Sequence, residues 1–140
     1  MTITAVWTIT SAQDANAGDG LTIDEPDQID ELIKRLSEPA AGPATIWHEG
    51  RKLADTASGM LDHDVVAAVE GGYGYLGYID ADHDYAVLEG DPSSPELHAE
   101  DADFPAGSGV TPDRLAEALR EFLATGLRPT GVTWREADLS

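Results

Sequence analysis

Residues 65–89 read VVAAVEGGYGYLGYIDADHDYAVLE, and the reading of this stretch decides the fold. Three runs, 65–70, 73–79 and 85–89, are rich in β-branched, aromatic and small apolar residues. Gly71-Gly72 and Asp80-Ala81-Asp82-His83-Asp84 separate them. Glycine takes positive φ without steric cost and Asp makes local turn hydrogen bonds, so both gaps are expected to be hairpin turns. The expectation is a β-meander in the middle of an antiparallel sheet. Tyr73, Tyr75 and Ile79 alternate onto one of its faces, and Leu76 and Tyr78 onto the other. Aromatics on both faces call for cover on both, or for a binding surface on one. Helices are expected over one face, with the other partly exposed.

Working outward, residues 2–10 alternate with period two. Ile3, Ala5, Trp7 and Ile9 fall on one side, which predicts a half-buried strand with Trp7 in the core. Residues 11–20 (SAQDANAGDG) have turn formers and no periodicity, and are expected to be a loop. Ile29, Leu32, Ile33 and Leu36 have helical spacing. Acids precede them, Lys34 and Arg35 lie near the end, and Pro26 and Pro39 bracket a helix over 26–37. After a break at 40–43, residues 44–49 (ATIWHE) read as a strand. His48 and Glu49 are adjacent there and point to opposite faces, which argues against a local acid–base pair. Residues 51–58 form a weaker strand and 59–64 a loop. Residues 90–95 are a turn-rich connector, and 96–104 an acidic edge strand.

Residues 111–125 are the best-specified helix. Thr111 is an N-cap, Pro112 stands at the first helical position, and Leu115, Ala118, Leu119, Phe122 and Leu123 make one apolar stripe. Val110 and Leu115 have the spacing of a hydrophobic staple. Gly126 and Pro129 end the helix. Residues 131–136 close the chain as a strand, with Val132 and Trp134 on one side. The whole, residues 1–140, is expected to be a single α+β domain: an antiparallel β-sheet with a central meander and two main helices packed on one face.

The chain has 140 residues, enough for a real core, and 41% are hydrophobic, too many for a disordered tail. There are no cysteines, which removes disulfides, thiolate metal sites and thiol nucleophiles. The N-terminus lacks the pattern of a signal peptide, and no apolar run approaches the ~18 residues that span a bilayer. A cytoplasmic location is therefore expected, with no membrane partner. Asp plus Glu total 27 against 8 Lys plus Arg, a formal charge of −19. Such a surface repels nucleic acid and anionic lipid and attracts basic partners.

Signatures of chemistry are missing. Gly71-Gly72-Tyr73-Gly74 lies between strands with no helix to receive a phosphate. There is no HxxxH, HExxH or GxSxG motif. Asp80, Asp82 and Asp84 imitate the start of an EF-hand loop, but Tyr85 stands where the turn glycine belongs and Asp91 where the bidentate Glu belongs. An acidic hairpin turn is the expectation. The four histidines are scattered, and the arginines at 114, 120, 128 and 135 are expected to pair with local acids. Hence no catalytic residue, metal ligand or cofactor is assigned.

The run LAEALREFLATGLRPTGVTWRE, at 115–136, resembles the first-described immunity-protein family of bacterial polymorphic toxin systems. Its helix, Thr-Gly-x-Arg-Pro turn and final Val-x-Trp strand carry the likeness. The helix at 29–36 with its following strand, and the glycine- and aromatic-rich meander at 68–88, extend it over about residues 22–134. The resemblance implies an α+β fold and a small cytosolic protein that binds and neutralises a cognate toxin, often one with a nucleic-acid deaminase domain. On that reading the partner is a basic toxin whose active site is occluded. Asp80, Asp82, Asp84, Glu96, Glu100, Asp101 and Asp103 would form an acidic face, with Tyr73 and Tyr75 supplying buried contact. Two other readings stand beside it. One is a small ligand-binding or enzymatic α+β domain using the meander face and a histidine, which a bound cofactor or a deep pocket lined by His48 and acids would favour. The other is an acidic nucleic-acid mimic, distinguished by promiscuous binding to basic proteins.

Overall fold

The computed structural model describes residues 2–9, 13, 17–50, 53–55, 60–61, 63–99 and 102–137. Its centre is a seven-stranded antiparallel sheet. In chain order the strands are β1 (Ile3–Ile9), β2 (Gly18–Ile23), β3 (Ala41–His48), β6 (His63–Glu70), β7 (Tyr73–Asp80), β8 (His83–Leu88) and β11 (Trp134–Glu136). Across the sheet the order is β11-β8-β7-β6-β3-β1-β2. Two-stranded pairs stand apart from it: β4 (Leu53–Asp55) with β5 (Met60–Leu61), and β9 (Leu97–Ala99) with β10 (Ala102–Phe104). The helices are α1 (Gln28–Leu36) and α2 (Pro112–Thr125).

The meander is β6-β7-β8, with every residue of β7 from Tyr73 to Asp80 paired to β6. Its expected five-residue second turn is shorter. β8 begins at His83, because the Asp80 carboxylate accepts from the Asp82 N–H (2.9 Å) and tightens the turn to two residues. β6 likewise starts at His63, inside the expected loop.

Both helices pack on one face. Ala5, Ile46, Val65, Tyr78 and Ala86 form a straight row across β1, β3, β6, β7 and β8, each 0–2% exposed. Ile29, Leu32 and Leu36 of α1, and Leu115, Leu119 and Phe122 of α2, close over this face in one cluster. The α2 signals act as read. Thr111 Oγ1 accepts from the Arg114 N–H (3.2 Å), Pro112 opens the helix, and Gly126 ends it at φ 69°. Val110 and Gly74 exchange backbone hydrogen bonds of 2.7 and 2.8 Å, which tie the start of α2 to β7. Trp7 is in the core, 5% exposed.

Four further local expectations change. β2 occupies the end of the stretch read as a loop. Only Ile23 of it is buried, and it is held by its ladder to β1, so no periodicity announces it. α1 starts two residues later than expected. The Gln28 side chain, through Oε1, accepts from the Asp24 and Glu25 N–H groups (2.9 and 3.0 Å), so Pro26 lies in the preceding turn. β3 begins at Ala41 and runs through Pro43, which sits where the β1–β3 register shifts and beyond the last β6 partner. Proline lacks an N–H and is tolerated at such a bulge. The single edge strand expected at 96–104 is the β9–β10 hairpin. Leu97 and Phe104 of this hairpin pack with Tyr75, Ala68 and Val87 on the second face of the main sheet.

Candidate partner-binding surface

The residues expected to contact a partner are distributed unequally. Asp80 is committed to its turn: its side chain is 3% exposed and accepts from Tyr78 Oη (2.6 Å), the Asp82 N–H and His83 Nδ1 (2.9 Å). Burial disfavours its charge, but these three donors outweigh burial and hold the carboxyl below the ordinary aspartate value. Asp82 and Asp84 are exposed at the tip of the meander. Tyr75 is 1% exposed under the β9–β10 hairpin; its hydroxyl donates to Pro95 O (2.9 Å) and its ring lies 5.4 Å from that of Phe104. Tyr73 is half-buried at the margin of the same cluster. Glu100 and Asp101 lie outside the described residues.

The hairpin brings Glu96 and Asp103 together around His98. Its Nδ1 is 2.8 Å from Asp103 Oδ1 and its Nε2 is 3.3 Å from Glu96 Oε2. The hydrogen bond to Asp103, then that to Glu96, raises the imidazole pKa above its ordinary value. Among the described residues, no hydrogen bond or ion pair joins Asp82 or Asp84 to this hairpin.

Sequence reasoning missed three residues beside them. The hydroxyl end of the Tyr85 ring, on β8, reaches over Gly77 of β7: a Cβ at Gly77 would stand 2.9 Å from the ring. Burial, followed by the charges of Asp64 and Asp103, raises the Tyr85 hydroxyl pKa. Asp64 and Asp103 therefore act on the Tyr85 hydroxyl electrostatically, although they are far apart in sequence. Glu49 is the third. It accepts from Thr4 Oγ1 (2.8 Å) and Trp47 Nε1 (2.7 Å), on the face opposite His48. The signal available was the period of two: once β6, β7 and β8 are in register, Asp64 and Tyr85 share the face of Tyr75.

His48, whose place in a deep pocket would have favoured an enzymatic reading, is buried. His48 is 2% exposed; its Nδ1 accepts from the Gly50 N–H (3.0 Å) and its Nε2 faces Leu123 O (3.0 Å), so Nε2 carries the proton. The His48 N–H donates to His63 Nε2 (2.9 Å), and both rings meet Phe122 edge-on. Neither ring nitrogen of His48 is left for a substrate. A cleft of about 390 Å³ lies elsewhere, between Glu89, Asp91, Thr111, Arg114 and Val132, and no histidine lines it. Among the described residues, no three His, Asp or Glu side chains converge as a metal site, and no helix is long and apolar enough to cross a membrane.

The arginines pair less than expected. Arg120 bonds Asp30, and Arg135 lies 3.8 Å from Glu89. Arg128 instead stacks over Trp134, 5.5 Å from the ring centre, and Arg114 has no ion pair among the described residues.

A search of curated proteins gives no match. The family model described as "Immunity protein Imm1" matches residues 17–136, taking in both helices, the meander, the β9–β10 hairpin and the last strand. The chain therefore belongs to the Imm1 immunity-protein family.

Proposed function

We propose that this protein binds a cognate toxin and neutralises it by occluding its active site or substrate groove. Membership of the Imm1 family carries the reading. The toxin is a basic protein acting on nucleic acid, with deaminase chemistry as the class the family resemblance implies. A groove that binds nucleic acid is positively charged because it replaces phosphate counterions. A chain of formal charge −19 complements such a groove. The exposed carboxylates of Asp82, Asp84, Glu96 and Asp103 stand in for phosphate, together with Glu100 and Asp101. The protein acts in the cytosol, as an inhibitor rather than an enzyme. Charge sets the encounter rate, and desolvated contacts supply much of the affinity.

Titration calorimetry against the toxin domain encoded beside this gene, at two salt concentrations, tests the proposal. A one-to-one complex that weakens at high salt is expected. A folded neighbouring toxin that shows no binding would overturn it. Equal affinity for several unrelated basic proteins would point instead to a general nucleic-acid mimic.

A further inference from the structure

We infer that the toxin docks on the uncovered part of the sheet's second face, centred on the row Val6–Thr45–Val66 and anchored at its margin by Tyr85. This rests on the immunity reading and names the surface that the reading leaves open.

The face follows from register. Val6 pairs with Thr45, Thr45 with Val66, Val66 with Gly77 and Gly77 with Val87, one residue out of phase with the row buried under the helices. Among the described residues, the β9–β10 hairpin covers the Val87 end, which is 0% exposed, and Val66 packs at the edge of the same cluster. Toward β1 the cover ends: Val66 is half-buried, Thr45 is exposed, and Val6 is 41% exposed, a level few large hydrophobic side chains here reach. Trp47 and Thr4, paired in the next row, are half-buried.

The charges around this patch indicate what covers it. The centre is uncharged, although a quarter of the chain is charged. Its margin carries Glu49, oriented by Thr4 and Trp47, and the exposed Asp64, two residues from Val66 and on the same face of β6; the charges of Asp64 and Asp103 both act on Tyr85. β1, β2, β3, β6, β7 and β8 contain no Lys or Arg. An uncharged centre inside a polar margin is the anatomy of a protein interface, and the described carboxylates of this margin, Glu49, Asp64 and Asp103, favour a partner of opposite charge. A second copy of this chain would set these carboxylates against each other, so a basic protein fits and a homodimer does not. Tyrosine is enriched among residues that dominate binding energy. Tyr85 is preset for this role, because Gly77 lets its ring lie on the sheet and so limits its freedom before contact. The same margin continues through Asp103 to Glu96, joining the hairpin half of the proposed acidic surface to this face.

The test compares binding of the adjacent toxin domain to the full chain and to three variants. Thr45→Arg places a cation at the centre of the face. Tyr85→Ala removes the anchor. Glu117→Gln makes the same charge change as Thr45→Arg but on the exposed side of α2, so it matches the loss of long-range attraction. The expectation is about thirtyfold or greater weakening by Thr45→Arg and by Tyr85→Ala, and less than about threefold by Glu117→Gln. Thermal melts accompany each variant, and Thr45→Arg decides the matter should Tyr85→Ala lose packing. Wild-type-like affinity in Thr45→Arg would overturn this surface while leaving the immunity reading in place. Failure of the parent chain itself to bind would overturn both.

Discussion

The two faces of one sheet differ more than any two elements of this molecule. Ala5, Ile46, Val65, Tyr78 and Ala86 are sealed under two helices, while Val6, Thr45 and Val66, their immediate neighbours in sequence, look outward. The strands are the same and the backbone ladder is shared. What differs is the partner. Both helices go to one face, because Ile29, Leu32 and Leu36 on α1 and the stripe on α2 have only one large apolar surface to share. The other face receives a three-residue-strand hairpin, which suffices to bury Tyr75, Phe104 and Val87 and leaves the β1–β3 half uncovered. One sealed face is enough to hold such a domain together, and this frees the second for contact with another molecule.

The sharpest way to break the contrast is a charge on the sealed face. Leu119 is 0% exposed, and Leu119→Asp loses about 1.5–3 kcal/mol of burial and adds several kcal/mol for an unpaired carboxylate. Against a net stability of ~5–15 kcal/mol, loss of the cooperative transition is expected in circular-dichroism melts. A melt like that of the parent would refute the placement of α2.

A smaller effect is expected where α2 is strapped to the segment before β11. Glu121 Oε2 accepts from the Thr130 N–H (2.6 Å) and Oγ1 (2.9 Å), and Oε1 accepts from the Gly131 N–H (2.9 Å). The Thr130 N–H is the largest influence; burial opposes it, the remaining donors add to it, and the carboxyl lies below the ordinary glutamate value. A depressed pKa stabilises the fold above the unfolded-state value, and the contribution is lost as pH falls through the folded-state value. Glu121→Gln is expected to cost about 0.5–1.5 kcal/mol in urea melts at neutral pH, because water can replace the lost acceptor. The gap from the parent should narrow on acidification through the carboxylate range. A gap independent of pH would mean that the strap does not depend on charge.

The smallest effect belongs to the open face. Thr45→Arg is expected to change stability by no more than about 0.5 kcal/mol, because an exposed side chain on a paired strand has no cavity or buried partner to disturb. A destabilisation of several kcal/mol in urea melts would show that the face is not free, and the contrast between faces would fail. Together with its expected effect on binding, this substitution separates a surface used for contact from one used for folding.

The elements legible in the sequence are those whose signals are local. Thr111, Pro112, the Leu115–Leu119–Phe122 stripe and Gly126 act within one helix, and α2 forms as they indicate. The meander is similar, because alternation and turn residues lie within a few positions of each other. β2 was not legible. Its GDGLTI sequence lacks a strand pattern, and the strand exists through hydrogen bonds to a β1 that earlier residues supply. The acidic surface was legible only as composition. Asp80 looks like Asp82 and Asp84 in sequence, yet Tyr78, His83 and the turn N–H draw it inward. Tyr75 and Tyr85 share a face, but the hairpin closes over the first and leaves the second half-buried.

The sequence by itself determined the α+β class, the capped helix, the meander, the excess of acids and the likeness to an immunity family. These depend on spacing, residue type and counts, which hold whatever the chain packs against. Only the tertiary structure decided which face of the sheet the helices seal, how far the β9–β10 hairpin reaches across the other, and which carboxylates act on Tyr85. Those outcomes come from contacts between residues distant in the chain, such as Tyr75 with Phe104 and Glu49 with Thr4. No local pattern encodes such contacts, because their free energy exists only once the sheet has assembled.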